Sequence, residues 1–139
     1  MDTKRRAIIT SALSIGALWS IGGCQHDPAA SRVVPLINLN DLKEGETAFP
    51  LQRVTVMREG KKFRAMSLLC THQACIVGGS VEKGFQCPCH GSLFNGEGHV
   101  LQGPAVSNLP WFKLVVDQSG MLSVDLGVVV GSDWRLVFL

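Results

Sequence analysis

Four of the five cysteines and two of the four histidines of this 139-residue chain fall in one short stretch, between positions 70 and 92. They form two boxes, Cys70-Thr71-His72-Gln73-Ala74-Cys75 and Cys87-Pro88-Cys89-His90-Gly91-Ser92. Thiolates are soft ligands that suit zinc and iron–sulfur clusters, whereas imidazole suits zinc, copper and iron. Because each box offers a thiolate and an imidazole, we expect the two boxes to be two arms of one metal site.

The two boxes resemble those of the Rieske family. In that family a [2Fe–2S] cluster is held by two cysteines on one iron and two histidines on the other, and the histidines raise the reduction potential. The resemblance implies that Cys70 and Cys87 hold the inner iron. It implies that His72 and His90 hold the outer iron near the surface.

The same resemblance assigns roles to residues around the expected ligands. Cys75 and Cys89 would form a disulfide that ties the two loops together, as in the high-potential branch of the family. Ser92 would donate a hydrogen bond to a sulfide, and Phe94 stands where high-potential members carry a Tyr hydroxyl donor. We therefore expect a lower potential than in members with both donors. Gly103-Pro104-Ala105 matches the loop that covers the cluster.

Two other interpretations of the boxes stay open. A four-ligand zinc site uses the same residue types, and a purely structural disulfide is an alternative in an exported chain. The pairing of two boxes at this loop length, with Pro88 and Gly91 in place, favours the cluster over zinc. A non-redox zinc module that binds a partner remains the alternative function.

Composition indicates one domain rich in β-structure. The chain is 46% hydrophobic and 17% charged, with 15 glycines, six phenylalanines and no tyrosine, which favours a loop-rich β domain over a helical one. The resemblance covers about 33–126. It implies an all-β fold, a Rieske-type sandwich of antiparallel sheets with a two-loop cluster-binding tip.

The first 24 residues are typical of an export signal or a membrane anchor. A basic Lys4-Arg5-Arg6 run precedes an apolar stretch over 7–21, which is shorter than the ~20 residues that span a bilayer. The run resembles a twin-arginine signal. Residues 25–32 are polar and are predicted to be a linker, which leaves 33–139 as the Rieske domain.

Three alternatives are open for how the N-terminal segment anchors or releases the mature chain. Ile21-Gly22-Gly23-Cys24 resembles a lipoprotein cleavage box, in which Cys24 would carry the lipid and the odd cysteine would be explained. Alternatively, the segment stays uncleaved as a short anchoring helix, or it is a simple cleaved signal. Without 1–24 the chain has ten basic and ten acidic residues, which gives no support for nucleic-acid binding.

Alternation of polar and apolar residues, bounded by turn residues, predicts short strands from Val33 onward. The expected strands are Val33–Asn38, 53–58, 63–67, 85–86, 112–116 and 121–126, with turns at 40–47, 59–62, 82–84 and 117–120, and a strand and tight hairpin over 93–100. We expect the apolar segment 127–139 to pack as an extra edge strand rather than to form a partner-binding tail. His26 and His99 are interpreted as surface residues.

Together these features predict an exported, membrane-anchored electron-transfer subunit or carrier on the periplasmic side of a bacterial membrane. Its partner would be a cytochrome or an oxidase subunit, with quinol as a further candidate. Rieske subunits of cytochrome bc-type complexes and of arsenite oxidase are the nearest specific versions. Such a chain would serve an oxidoreductase complex rather than act as a stand-alone enzyme. A ferredoxin of a ring-hydroxylating oxygenase is disfavoured by the export segment and the extra cysteine pair.

Overall fold

The structure, a computed structural model, describes residues 32–139. The export segment, Cys24, His26 and nearly all of the linker lie outside these residues. Residues 32–139 form eleven β-strands and no helix, so no helix there is long and apolar enough to cross a membrane.

All strand pairs within 32–139 are antiparallel. The strands are β1 Val33–Asn38, β2 Gly45–Phe49, β3 Val54–Glu59, β4 Lys62–Ser67, β5 Gly78–Ser80, β6 Gly84–Gln86, β7 Leu93–Phe94, β8 Val100–Gln102, β9 Trp111–Val116, β10 Met121–Val130 and β11 Leu136–Val137. A seven-stranded base sheet has the order β1-β10-β9-β4-β3-β2, with β11 paired to β4. The four strands β5-β6-β7-β8 form a smaller tip sheet, which is inserted in the chain between β4 and β9.

The base sheet has an apolar core of its own. Its strands are rich in β-branched and aliphatic residues. The large side chains of this core that are only 0–1% exposed are Val54, Val56, Leu114, Leu122 and Val124. Burying one such side chain fully contributes about 1.5–3 kcal/mol. This core makes the base sheet a stable platform for the inserted segment.

A second core lies between the base sheet and the tip sheet. It is built from residues of both sheets and of the loops that join them: Met57, Met66, Leu68, Val77, Phe85, Phe94, Ala105, Leu109 and Trp111. Two side chains that belong to the sequence boxes, Cys70 and Cys87, are part of the same cluster. The free thiols are therefore held inside an apolar interior rather than on a loop surface.

The all-β class and the antiparallel sheets are confirmed, and β1 has the predicted bounds. The predicted turn at 40–47 is wrong at its end, because Gly45–Phe49 pairs with β3, with Thr47 opposite Val56. Pairing with the neighbouring strand β3 overrides the polar local sequence. Strand β10 also continues past Leu126 to Val130, through an irregularity in its pairing with β9.

The C-terminal segment is packed on the domain, as expected. It does not form one edge strand, however, because Leu136 pairs with Phe63 of β4, inside the base sheet. Trp134 packs against the base core. His99 is exposed, in agreement with its interpretation as a surface residue.

Candidate metal centre

The two boxes fold into two matching turns. In the first, Cys70 N–H donates to Cys75 C=O at 2.8 Å, and Ala74 N–H donates to Cys70 C=O at 2.8 Å. In the second, Cys87 N–H donates to Ser92 C=O at 2.8 Å, and Gly91 N–H donates to Cys87 C=O at 3.0 Å. The repeated hydrogen-bond pattern gives the two halves of the site the same backbone geometry.

Each turn needs one residue in the left-handed region. Gly91 has φ 78° and Ala74 has φ 56° at the equivalent position. Glycine adopts this conformation freely, whereas an alanine does so at a cost of about 1 kcal/mol or more. The second box has a glycine at this position, whereas the first box has an alanine in a strained backbone conformation.

The turns bring together the four residues expected from the sequence to be ligands. Cys70 and Cys87 are free thiols, each 2% exposed. His72 and His90 are exposed, and their ring centroids lie 4.9 Å apart with the planes almost perpendicular. The tip therefore has a sulfur side facing the core and an imidazole side facing solvent.

The Cys87 thiol is shifted toward its ionised form. Burial opposes ionisation, but hydrogen bonds to its sulfur from the Cys89 backbone, the Cys70 thiol and the His90 backbone together lower the pKa of Cys87. The thiolate is the form that ligates a metal. The second turn thus favours the charge state that metal binding needs.

A disulfide joins the two turns. Cys75 and Cys89 are bonded, so neither is available as a thiolate ligand. The sulfur of Cys87 lies within 4.8 Å of both disulfide sulfurs. The bond implied by the family resemblance is therefore present and lies beside a buried thiol.

The loop Gly103-Pro104-Ala105 is tied to the second box. Ala105 N–H donates to Ser92 Oγ at 3.0 Å, and both residues are buried. The first box is tied to the same loop by the Thr71 hydroxyl, which donates to Ser107 C=O. These two hydrogen bonds hold the segment 103–107 against both turns.

Two features of the tip were not predicted from the sequence: the hydrogen bond of Thr71 to Ser107 and the backbone conformation of Ala74. Thr71 carries no metal-binding signal, because a hydroxyl that ties down a loop looks like any other Thr. The conformation of Ala74 had a usable signal: it stands four residues after Cys70, as Gly91 stands four after Cys87. Comparing the two boxes position by position would have revealed the shared turn.

Comparison with known proteins identifies the tip. The family model of the Rieske [2Fe-2S] domain matches residues 32–113, well over half of the chain. The chain belongs to the Rieske family. Its members carry a [2Fe–2S] cluster, and the donor set here fits that group. Two buried free thiols face two exposed imidazoles, and the buried Ser92 hydroxyl has no acceptor for its own proton among residues 32–139.

Curated relatives of this Rieske chain include iron–sulfur subunits of the cytochrome b6-f complex. The chain is 41% identical over 59 residues to the chloroplastic subunit of Chlamydomonas reinhardtii, covering 42% of this chain and 29% of the relative. It is 32% identical over 87 residues to subunit 1 of Nostoc, covering 60% and 49%. The chain thus spans about half the length of these relatives, or less.

Among solved structures, the cyanobacterial plasma membrane Rieske protein from Synechocystis is 33% identical. The match covers 66% of this chain and 98% of that chain, with a TM-score of 0.47.

Removing the disulfide should destabilise the Rieske tip. The bond links residues 14 apart in sequence, and closing a loop of about 15 residues stabilises a fold by about 3 kcal/mol in the chain-entropy treatment. We expect Cys75→Ser to lower the free energy of unfolding by about this amount, measured by chemical denaturation, and to leave a cluster in only part of the molecules. Cys89→Ser should match it, since it removes the same bond. Free thiols at both positions in alkylated native protein would contradict the bond.

Proposed function

We propose that this chain transfers electrons, one at a time, between a donor and an acceptor protein, using a [2Fe–2S] cluster held by Cys70, Cys87, His72 and His90. The observation that supports the assignment is the sorting of these four side chains at one tip. The two thiols are 2% exposed and are not disulfide-bonded, whereas both imidazoles reach solvent. When bound, the cluster supplies a one-electron couple, and the protein supplies its ligation, burial and orientation.

The exposed imidazole side is where a partner can approach. His72 and His90 are both exposed and lie edge to face, so a partner's hydrogen-bonding group can approach an imidazole nitrogen from solvent. A quinol hydroxyl is one such group, and an imidazole can take or release a proton at that nitrogen. The buried sulfur side is closed by the core, so exchange of electrons with a partner is expected on the imidazole side.

The partner is proposed to be a cytochrome or an oxidase subunit at a membrane. Relatives named as iron–sulfur subunits of the cytochrome b6-f complex support this assignment. The balanced charge of the chain after residue 24 gives no support for a nucleic-acid partner. The chain would act as a subunit or carrier within an oxidoreductase system rather than as an enzyme alone.

Ligand substitutions should abolish the reduced-state Rieske EPR signal of the purified full chain. We expect this result for Ala at any one of Cys70, His72, Cys87 or His90, because each removes one of four ligands. His99→Ala is the matched control, since His99 is exposed on the β7–β8 connection, and it should keep the signal. A normal signal from His72→Ala would refute the ligand set, and zinc without iron in the wild type would favour the zinc module.

The N-terminal segment is proposed to hold the domain at the periplasmic side of the membrane. Cys24 follows Ile21-Gly22-Gly23, and the basic run Lys4-Arg5-Arg6 precedes the apolar stretch. Export by the twin-arginine route suits a protein that receives its cluster before crossing. We propose residues 1–24 as signal or anchor, 25–32 as linker and 33–139 as the Rieske domain.

Mass spectrometry of the mature protein from membranes should find a diacylglyceryl group on Cys24 at the N-terminus. Cys24→Ser should abolish the modification and block processing, because the thiol is the attachment point. An N-terminus at Met1 or Asp2 in the wild type would instead support an uncleaved anchor helix. A mature chain that begins after Cys24 would support a simple cleaved signal.

Ser92 and Phe94 are proposed to set the potential. The Ser92 hydroxyl is fully buried and accepts a hydrogen bond from Ala105, which leaves its proton free to donate to cluster sulfur. Phe94 is 1% exposed in the tip core and has no hydroxyl to donate. Hydrogen bonds to sulfur stabilise the more negative reduced state, so each donor raises the potential.

Phe94→Tyr should therefore raise the potential, and Ser92→Ala should lower it. A neutral hydrogen bond is worth about 0.5–1.5 kcal/mol net, which for a one-electron couple is roughly 20–65 mV. The Ser92→Ala shift should be similar or larger. Protein-film voltammetry measures both shifts. Phe63→Tyr, which adds a hydroxyl in the base core, should leave the potential unchanged. An unchanged potential in Phe94→Tyr would show that its hydroxyl does not reach a ligand sulfur.

A further inference from the structure

A buried arginine links the base sheet to the tip. Arg64 is only 6% exposed, and its Nη1 donates to both carboxylate oxygens of Glu97, at 3.0 and 2.8 Å. Its guanidinium lies over the ring of Trp111, 4.7 Å from the centroid. Trp111 Nε1–H donates to the carbonyl of Glu97 at 3.1 Å. Each of the three residues contacts the other two, and we call them the Arg64 clamp.

The three members come from the three segments that build the tip. Arg64 lies in β4, which leads into the first box. Glu97 lies in the β7–β8 connection, which follows the second box, and Trp111 begins β9, which follows the covering loop and residues 106–110. The clamp therefore joins the bases of all three segments at one point.

Close backbone packing surrounds the same point. Leu109 N–H donates to Gly98 C=O at 2.8 Å. Gly98 has φ 79°, which favours glycine, and a Cβ there would lie 2.7 Å from Sδ of Met66 and 3.0 Å from Cβ of Leu109. Met66, Leu109 and Trp111 belong to the apolar cluster that also contains Cys70 and Cys87. A continuous packed interior thus connects the clamp with the two buried thiols.

We propose that Arg64, Glu97 and Trp111 are positioning residues for the metal centre, which hold the two boxes and the covering loop in register with one another. The proposal rests on the ligand assignment made above. The tip sheet has strands of only two or three residues, so its own ladder hydrogen bonds fix it weakly. A planar guanidinium that donates to the Glu97 carboxylate and lies over the Trp111 ring constrains direction as well as distance, which a buried apolar contact at this place would not do.

The clamp needs both of its charged residues, Arg64 and Glu97. No residue in 32–139 accepts a hydrogen bond from the buried Nε of Arg64, and Glu59 is a more distant partner at 3.7 Å on the exposed side. Glu97 therefore supplies most of the compensation for a charge that lies in the protein interior. The Glu97 side chain is 45% exposed, so the pair is half buried. Removing Glu97 leaves the buried Arg64 charge with the more distant Glu59 as its remaining carboxylate partner, which is more disruptive than losing a fully exposed pair.

Two conservative variants test the proposal: Arg64→Lys, which keeps the charge and loses the planar guanidinium, and Glu97→Gln, which keeps the shape and loses the charge. The first measurement uses purified full chain from which a chelator has removed the cluster, and follows alkylation of Cys70 and Cys87 by mass spectrometry under native conditions. We expect both thiols to react at least tenfold faster than in the wild type. The second measurement is the reduced-state EPR spectrum of the loaded chain, which should show broadened or shifted lines.

Two controls separate positioning from general stability. Arg58→Lys alters an arginine that also lies over an aromatic ring, that of Phe63 at 5.7 Å, and pairs with Glu44 at 3.5 Å, but within the base sheet and its loops. Leu114→Ala removes a fully buried side chain of the base core. Both should change thiol reactivity less than twofold and leave the EPR lines unchanged, although they lower the free energy of unfolding.

Wild-type thiol rates and EPR lines in Arg64→Lys and Glu97→Gln would overturn the proposal. Equal acceleration in Leu114→Ala, at the same loss of unfolding free energy, would also overturn it, because the effect would then be global. If Arg64→Lys does not fold, Glu97→Gln decides the outcome alone. A wild-type chain without any Rieske signal would refute the proposed function, whereas the thiol rates still report on the clamp.

Discussion

The two turns that carry the four expected ligands are joined by one covalent bond, and the metal centre depends on it. Each turn is short, closes on its own backbone and has little strand structure around it. Such segments open locally at lower free energy than a core strand. The Cys75–Cys89 bond removes the relative freedom of the two turns, and it lies beside the buried Cys87 thiol. Ligand spacing is therefore fixed before any metal arrives.

The base sheet supplies the remaining order of the tip. Glu46 in β2 accepts from Thr55 Oγ1 at 2.9 Å and from Val81 N–H at 2.8 Å, so one carboxylate links the base to the segment after the first box. Arg64 links the base to the segment after the second box. The tip thus has polar attachments to the base through the segments that follow both boxes.

The all-β class predicted from the sequence is confirmed, and the four candidate ligands stand out by residue type and spacing. The cysteines and histidines of the two boxes are the candidate ligands, and Val33–Asn38 is a strand with the predicted bounds. The sequence does not predict β2, since pairing with β3 decides that segment. Nor does it predict the contact of Arg64 with Glu97, which are 33 residues apart and meet only after the tip sheet packs on the base.

The loop Gly103-Pro104-Ala105 is hydrogen-bonded to the buried hydroxyl of Ser92. Ala105 N–H occupies a lone pair of Ser92 Oγ, which turns the hydroxyl proton away from that loop. Thr71 holds the neighbouring part of the loop through Ser107, so displacing the loop would disturb both boxes at once. Hydrogen bonds therefore join the loop, the Ser92 hydroxyl and the two turns into one unit. A change in any of them is expected to reach the potential through the sulfur side, while the imidazole side stays open to a partner.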